Sequence, residues 1–199
     1  MGLDLSASPV RLNSPAVRLI QVDAQAWEFA SLHPPFTSPS PYDEPLPDVS
    51  RELLATLPEG FGIARPYPDR SYGQAEYLLD PAGYRALTGW PERERSLPYR
   101  IIEGDRPFAD HATGGQGVPW RCSTASFLAE AAATIDAIDV AAARQEFFVA
   151  DMWALGVYKV SQTERDDEAF KRVLNNLRQL ARYYHRLVEH GLDLIIEKD

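Results

Sequence analysis

From residue 165 to residue 199 the hydrophobic pattern is the most regular in the chain. Phe170, Val173, Leu177, Leu180, Tyr184 and Leu187 recur at alternating steps of three and four, and Leu174, Ala181 and Val188 widen the stripe on one flank. That spacing predicts one buried face of a long amphipathic helix. Asp166, Asp167 and Glu168 suit its positive N-terminal end, and Gly191 after His190 marks its stop, because glycine takes the left-handed C′ conformation at least cost. Beyond Gly191 the period shortens to two. Leu192, Leu194 and Ile196 alternate with Asp193, Ile195 and Glu197, which predicts a terminal strand. About 25 helical residues extend roughly 37 Å, so most of the remaining chain is expected to pack along this rod.

Upstream the pattern is more broken. Residues 16–22 (Ala-Val-Arg-Leu-Ile-Gln-Val) read as a β-rich run, and residues 24–32 as a short helix capped by Asp23. Pro34, Pro35, Pro39, Pro41, Pro45 and Pro47 then exclude regular structure from about 33–48, which reads as a long surface loop. Asp48 is placed to cap a short helix burying Leu53, Leu54 and Leu57, and a short strand is expected at 62–64. Asp80-Pro81 is a cap followed by a first-turn proline, predicting a helix through Leu87 to Gly89. Residues 99–103 read as a strand and 104–119 as turns. From Ser123, Phe127, Leu128, Ala131, Ala132, Ile135 and Ile138 form one helical face. Asp139 then caps a further helix through Phe147, Phe148, Met152 and Leu155, stopped by Gly156.

These elements predict an α+β fold: residues 1–199 as a single domain, a mixed or antiparallel sheet packed by helices, and a long C-terminal helix followed by a terminal strand. Composition narrows the function classes. No apolar run approaches the length of a bilayer-spanning helix. The first residues lack the basic and hydrophobic regions of a secretory signal, and the lone Cys122 allows no internal disulfide, so a cytoplasmic location is expected. The net charge of -9 weighs against a dedicated nucleic-acid binder. The acidity is uneven, since the outward face of the last helix carries Lys171, Arg172, Arg178, Arg182 and Arg186. Such a stripe is either a docking face for an acidic partner or a solvated surface that pairs with acids of the same molecule.

The second half also carries a resemblance. Gly115-Gln116-Gly117, Trp120-Arg121-Cys122, the capping Ser123, Phe127-Leu128-Ala129-Glu130-Ala131 and Leu155-Gly156-Val157-Tyr158 occur in the order seen in the YfbM-like bacterial proteins of unknown function. The run Leu177-Arg178-Gln179-Leu180-Ala181-Arg182-Tyr183-Tyr184, then Gly191 and an apolar strand, is similar to that family's ending. The resemblance covers residues 99–199 and implies an α+β cytoplasmic domain of a bacterial protein with no assigned activity.

The sharpest catalytic candidate is Cys122. A thiol just before a helix N-terminus gains nucleophilicity from the dipole and the free amide groups. Gln116, six residues earlier, resembles in its spacing the oxyanion glutamine of papain-like enzymes, and His185 or His190 would serve as base. The ordinary alternative is a buried, packing cysteine. Asp105, Asp110 and His111 in a turn-rich loop, or His185 with His190, are weak metal candidates, because five-residue spacing puts the two histidines on different helix faces. No metal or cofactor is expected. Residues 114–117 offer a glycine loop for an anion but lack the P-loop ending, so a tight turn is the simpler use. Six aromatic residues, Tyr72, Tyr77, Tyr84, Trp90, Trp120 and Trp153, could line a pocket or simply fill a core.

Without a complete catalytic constellation, the sequence favours a non-enzymatic protein-binding domain, for which an inhibitor or immunity-like role fits the charge. Its binding residues would be Arg172, Arg178, Arg182 and Arg186. The rival reading is a cysteine-dependent hydrolase using Cys122.

Overall fold

The computed structural model of the 199-residue chain describes residues 5–38, 45–62, 65–66, 70–114 and 117–198. The chain opens with strand β1 (Leu5–Val10) and helices α1 (Pro15–Val22), α2 (Ala24–Ser31) and α3 (Asp48–Ala55), then the short strand β2 (Arg65–Pro66). Helices α4 (Tyr72–Leu79), α5 (Pro81–Ala86), α6 (Trp90–Arg95) and α7 (Leu97–Glu103) follow, and then strands β3 (Arg106–Pro107) and β4 (Arg121–Ser123). The last part runs through α8 (Ala125–Asp136), α9 (Val140–Glu146), α10 (Val149–Ala154), the long α11 (Asp166–Glu189) and β5 (Asp193–Lys198). This is an α+β fold with the expected long helix and terminal strand at its end. Among the described residues no helix is long and apolar enough to cross a membrane.

Two compact units share the chain. The first comprises Met1–Tyr67, Gly104–Leu128 and Arg186–Asp199, and the second Pro68–Glu103 and Ala129–His185. The first unit holds a five-stranded sheet in the order β2-β1-β5-β4-β3, and every pairing is antiparallel. β1 and β5 pair along six residues, from Leu5 opposite Lys198 to Val10 opposite Asp193. Leu194, Ile195 and Ile196 are buried in succession, as befits a central strand without a solvent face. Val10, Cys122 and Ile195 join Val17, Ile20, Trp27 and Leu53 in one core. At its centre Trp27 meets Phe36, Phe108 and Trp120 at ring distances of 5.4, 5.5 and 4.5 Å. Phe36 belongs to the proline-rich stretch, whose residues 39–44 lie outside those described.

Several expectations are corrected. Residues 16–22 form helix α1, not a strand. Ser14 accepts a bond from the Val17 amide and Pro15 opens the first turn, a start signal that outweighs the β-branched content. Residues 99–103 likewise lie in α7. The Ser96 hydroxyl accepts from the Tyr99 amide at 3.3 Å, and Ile101 and Ile102 are both buried. The helix expected from Asp139 through Leu155 breaks at Phe147 and Phe148 into α9 and α10. The capping role assigned to Ser123 falls to Thr124, whose hydroxyl accepts from the Phe127 amide, and Asp48 lies inside its helix, after Pro47. Most of the short strand expected at 62–64 lies outside the described residues, and the described strand that follows it is β2. Gly62 is a bend, and residues 63–64 lie outside those described. Asp23 and Asp139 cap α2 and α9 as expected, and Gly156 and Gly191 take φ values of +70° and +61° at their stops.

The second unit is helical, and α4 is its inner element. Every residue from Tyr72 to Leu78 is buried, including Gln74, Glu76 and Tyr77. In the first unit, Asp193 performs a comparable joining role. Its carboxylate accepts from the Leu12 amide at 2.7 Å and from the Ala125 amide at 2.8 Å, so one side chain of β5 fixes both the chain leaving β1 and the start of α8. Asp193→Ala strands two backbone donors, and is expected to cost roughly 2–3 kcal/mol in urea unfolding.

Candidate binding cleft

Cys122, the cysteine candidate, lies inside the sheet. Cys122 lies in β4, between Arg106 of β3 and Ile195 of β5, and is 1% exposed. Burial pushes its thiol above the usual range, with Arg106 acting in the opposite direction. Its sulfur sits 3.9 Å from the Pro107 carbonyl oxygen. His190, in the same unit, places its ring 5.0 Å from that of Phe61. His185, in the second unit, is exposed, with its Nε2 2.7 Å from Asp136 Oδ2. Gln116 lies outside the described residues.

Among the described residues no three metal-ligating side chains gather. His111 Nε2 is 2.9 Å from the Ile20 carbonyl oxygen instead. Across the ends of the glycine loop, whose residues 115–116 lie outside those described, the Gly117 amide donates to the Gly114 carbonyl at 2.9 Å, with Gly117 at φ +74°.

The four arginines of the last helix divide into three environments. Arg186 stacks its guanidinium over Phe61 at 4.4 Å in the first unit. Arg178 and Arg182 stand exposed without an ion-pair partner among the described residues. Arg172 turns into a polar cleft of the second unit. This cleft, of about 330 Å³, is lined by Arg70, Ser71, Gln74, Lys159, Glu164 and Arg172.

A continuous set of bonds builds it. Glu164 holds Arg172 through Nε and Nη2, both at 3.0 Å. Arg172 Nη2 also donates to Gln74 Oε1 at 2.8 Å, and Gln74 Nε2 donates to the Lys159 carbonyl at 3.0 Å. Gln74 is 1% exposed, so its amide is fixed by these partners rather than by water. Asn176 donates to the Ser71 hydroxyl at 3.1 Å at the start of α4. Gly73 admits the neighbouring segment, since a Cβ there would meet Val157 Cγ1 at 3.2 Å and the Tyr158 nitrogen at 3.4 Å.

Lys159 is the anomalous member. Its φ of +56° is left-handed, a conformation that asparagine or glycine adopts more readily. Its ammonium lies 5.6 Å from the centre of the Tyr158 ring and has no ion-pair partner among the described residues. Among the described residues the lining carries three basic side chains and one carboxylate. Sequence reasoning placed Arg172 on the outward helix face and did not single out Arg70, Gln74, Lys159 or Glu164, which no local motif connects.

The model of a domain of unknown function, DUF1877, matches residues 69–197. The chain belongs to this family. All six lining residues fall within the match. Among solved structures, that of YfbM from Escherichia coli, itself a protein of unknown function, superposes with a TM-score of 0.58. The alignment covers 97% of this chain and 98% of YfbM at 10% identity, which establishes a shared fold. No curated protein matches the chain. The likeness expected for residues 99–199 therefore extends to the fold of nearly the whole chain.

Cys122 is expected to resist iodoacetamide in the native protein at neutral pH and to react fully once unfolded in denaturant. Rapid alkylation of the native protein, followed by mass spectrometry, would contradict the buried placement.

Proposed function

We propose that this protein acts by binding an acidic protein surface rather than by catalysis, and that the exposed side of α11 is the docking face. The observation that carries this reading is the line of exposed positive charge on that helix. Lys171, Arg178 and Arg182, spaced by seven and four residues, fall within about 40° of one another around the axis and span about 16 Å. All three are exposed and lack an ion-pair partner among the described residues, while Phe170, Val173, Leu177, Leu180 and Tyr184 on the opposite stripe are buried.

A solvated face that neutralises itself on nearby acids would pair these groups internally, as Arg144 is paired with Asp167 at 2.7 Å. Leaving three cations in line on a chain of net charge -9 supports complementarity to an outside partner. The buried Cys122 and its raised thiol weigh against the hydrolase alternative. An inhibitor-like role remains one form this binding would take.

Immobilised poly-L-glutamate provides a direct probe of the face. The native protein is expected to be retained at low salt and released as salt rises. The double variant Arg178→Glu, Arg182→Glu should bind at least about tenfold more weakly. Equal retention of variant and native protein would refute the assignment.

A further inference from the structure

We propose, resting on the docking reading above, that the acidic partner surface met by α11 is itself an α-helix. Its carboxylates recur at intervals of seven and four residues, and it lies lengthwise along the exposed side of α11.

The exposed residues of α11 within the second unit form a seam. Lys171, Asn175, Arg178, Arg182 and His185 are all exposed and follow one another at steps of four, three, four and three. At 100° per residue the five fall within about 80° of the circumference, along about 21 Å of axis. Leu174 and Ala181 are buried along one edge of this row, and Val173, Leu177, Leu180 and Tyr184 are buried on the opposite side. The helix therefore offers a narrow row and not a broad surface. Alternation of four and three is the repeat by which one helix meets another along its length.

The acids of the helix stand away from the middle of the row. Residues 171–188 contain no aspartate or glutamate, whereas Asp166, Asp167 and Glu168 lie at one end and Glu189 at the other. Neither Arg178 nor Arg182 has an acid three or four residues away, the positions from which a helical neighbour reaches it. Asp136 stands beside the last member of the row, 2.7 Å from His185 Nε2.

Spacing then selects the shape of the partner. Lys171, Arg178 and Arg182 are separated by rises of about 10.5 and about 6 Å. Glutamates seven and four residues apart on a facing helix have the same rises, so each carboxylate meets one cation. In an extended strand the side chains of one face repeat about every 6.8 Å. A strand thus matches the shorter interval and misses the longer by about 3 Å. Asn175 sits between the cations as a neutral hydrogen-bonding residue, the kind that sets register between paired helices.

Fluorescence anisotropy with labelled peptides of equal charge, at constant low salt, tests the shape. Two are locked as helices by a staple on the far face and carry three glutamates in line, at intervals of seven then four or of four then seven. A third is a locked helix with its glutamates dispersed around the axis, and a fourth repeats the first sequence with alternate D-residues, so that no helix forms. One of the in-line helices is expected to bind one-to-one and at least about tenfold more tightly than either control, because its shape is set in advance. The seven-then-four order binding better assigns a parallel pair, and the reverse order an antiparallel one. Arg178→Glu should weaken that binding at least about tenfold, and lysine in place of the central glutamate of the peptide should restore it, while lysine in place of an outer glutamate should not. Equal binding of the controls, or no peptide binding, while poly-L-glutamate is still retained by the native protein would overturn the helical partner alone. Loss of poly-L-glutamate retention as well would overturn the docking face and the helical partner together.

Discussion

Helix α4 imposes the strongest constraint in the second unit, because it is buried from Tyr72 to Leu78 while carrying Gln74, Glu76 and Tyr77 inward. A buried polar group without a partner costs about 1–3 kcal/mol, and a buried charge costs more. Each of these three residues is accordingly met. Arg93 of α6 forks onto Glu76 with two bonds of 2.8 Å and lies 3.8 Å from the buried Glu103. The same guanidinium lies over the rings of Trp90 and Tyr99 at 5.0 and 5.7 Å. The Tyr77 hydroxyl donates to Asp151 at 2.5 Å and accepts from Arg85 at 2.6 Å. Burial, reinforced by the bond to Asp151, raises the Tyr77 pKa, while that bond and Arg85 hold Asp151 below its usual range. One helix therefore prescribes which residues α5, α6, α10 and α11 must turn toward it.

The cleft follows from that prescription. Gln74 requires partners for both ends of its amide, and the chain supplies the Arg172 guanidinium and the Lys159 carbonyl. Gly73, one residue earlier, leaves room for Val157 and Tyr158 to approach. Tyr158 then stacks on Tyr72 at 5.1 Å, interplanar angle 20°. The groups that satisfy a buried helix are the groups that line the polar opening beside it.

This explains what was legible beforehand. The apolar stripe of α11, the aspartate caps of α2 and α9 and the glycine stops are local signals, written within one or two turns of the chain. Strand β1 was not readable, because its pairing partner β5 lies at the opposite end of the sequence. Helices α1 and α7 were obscured by Val and Ile, although Ser14-Pro15 and Ser96 carry start signals at the correct positions. The cleft was less legible still. Gln74 is 85 residues from Lys159 and 98 from Arg172, and nothing local announces that Lys159 is left-handed. Arg172 was grouped with the outward arginines, yet it lies roughly 100° around the helix from Lys171. That flank position lets it serve Gln74 instead of solvent.

The account rests most heavily on α4 being held by specific partners rather than by apolar burial alone, and a double-mutant cycle between Glu76 and Arg93 tests this most directly. Urea unfolding of Glu76→Leu, Arg93→Leu and the pair together gives the coupling. Each single change, by removing the bidentate partner of a buried charge, is expected to cost about 3–5 kcal/mol, and the pair clearly less than the sum. Additive costs would contradict the account.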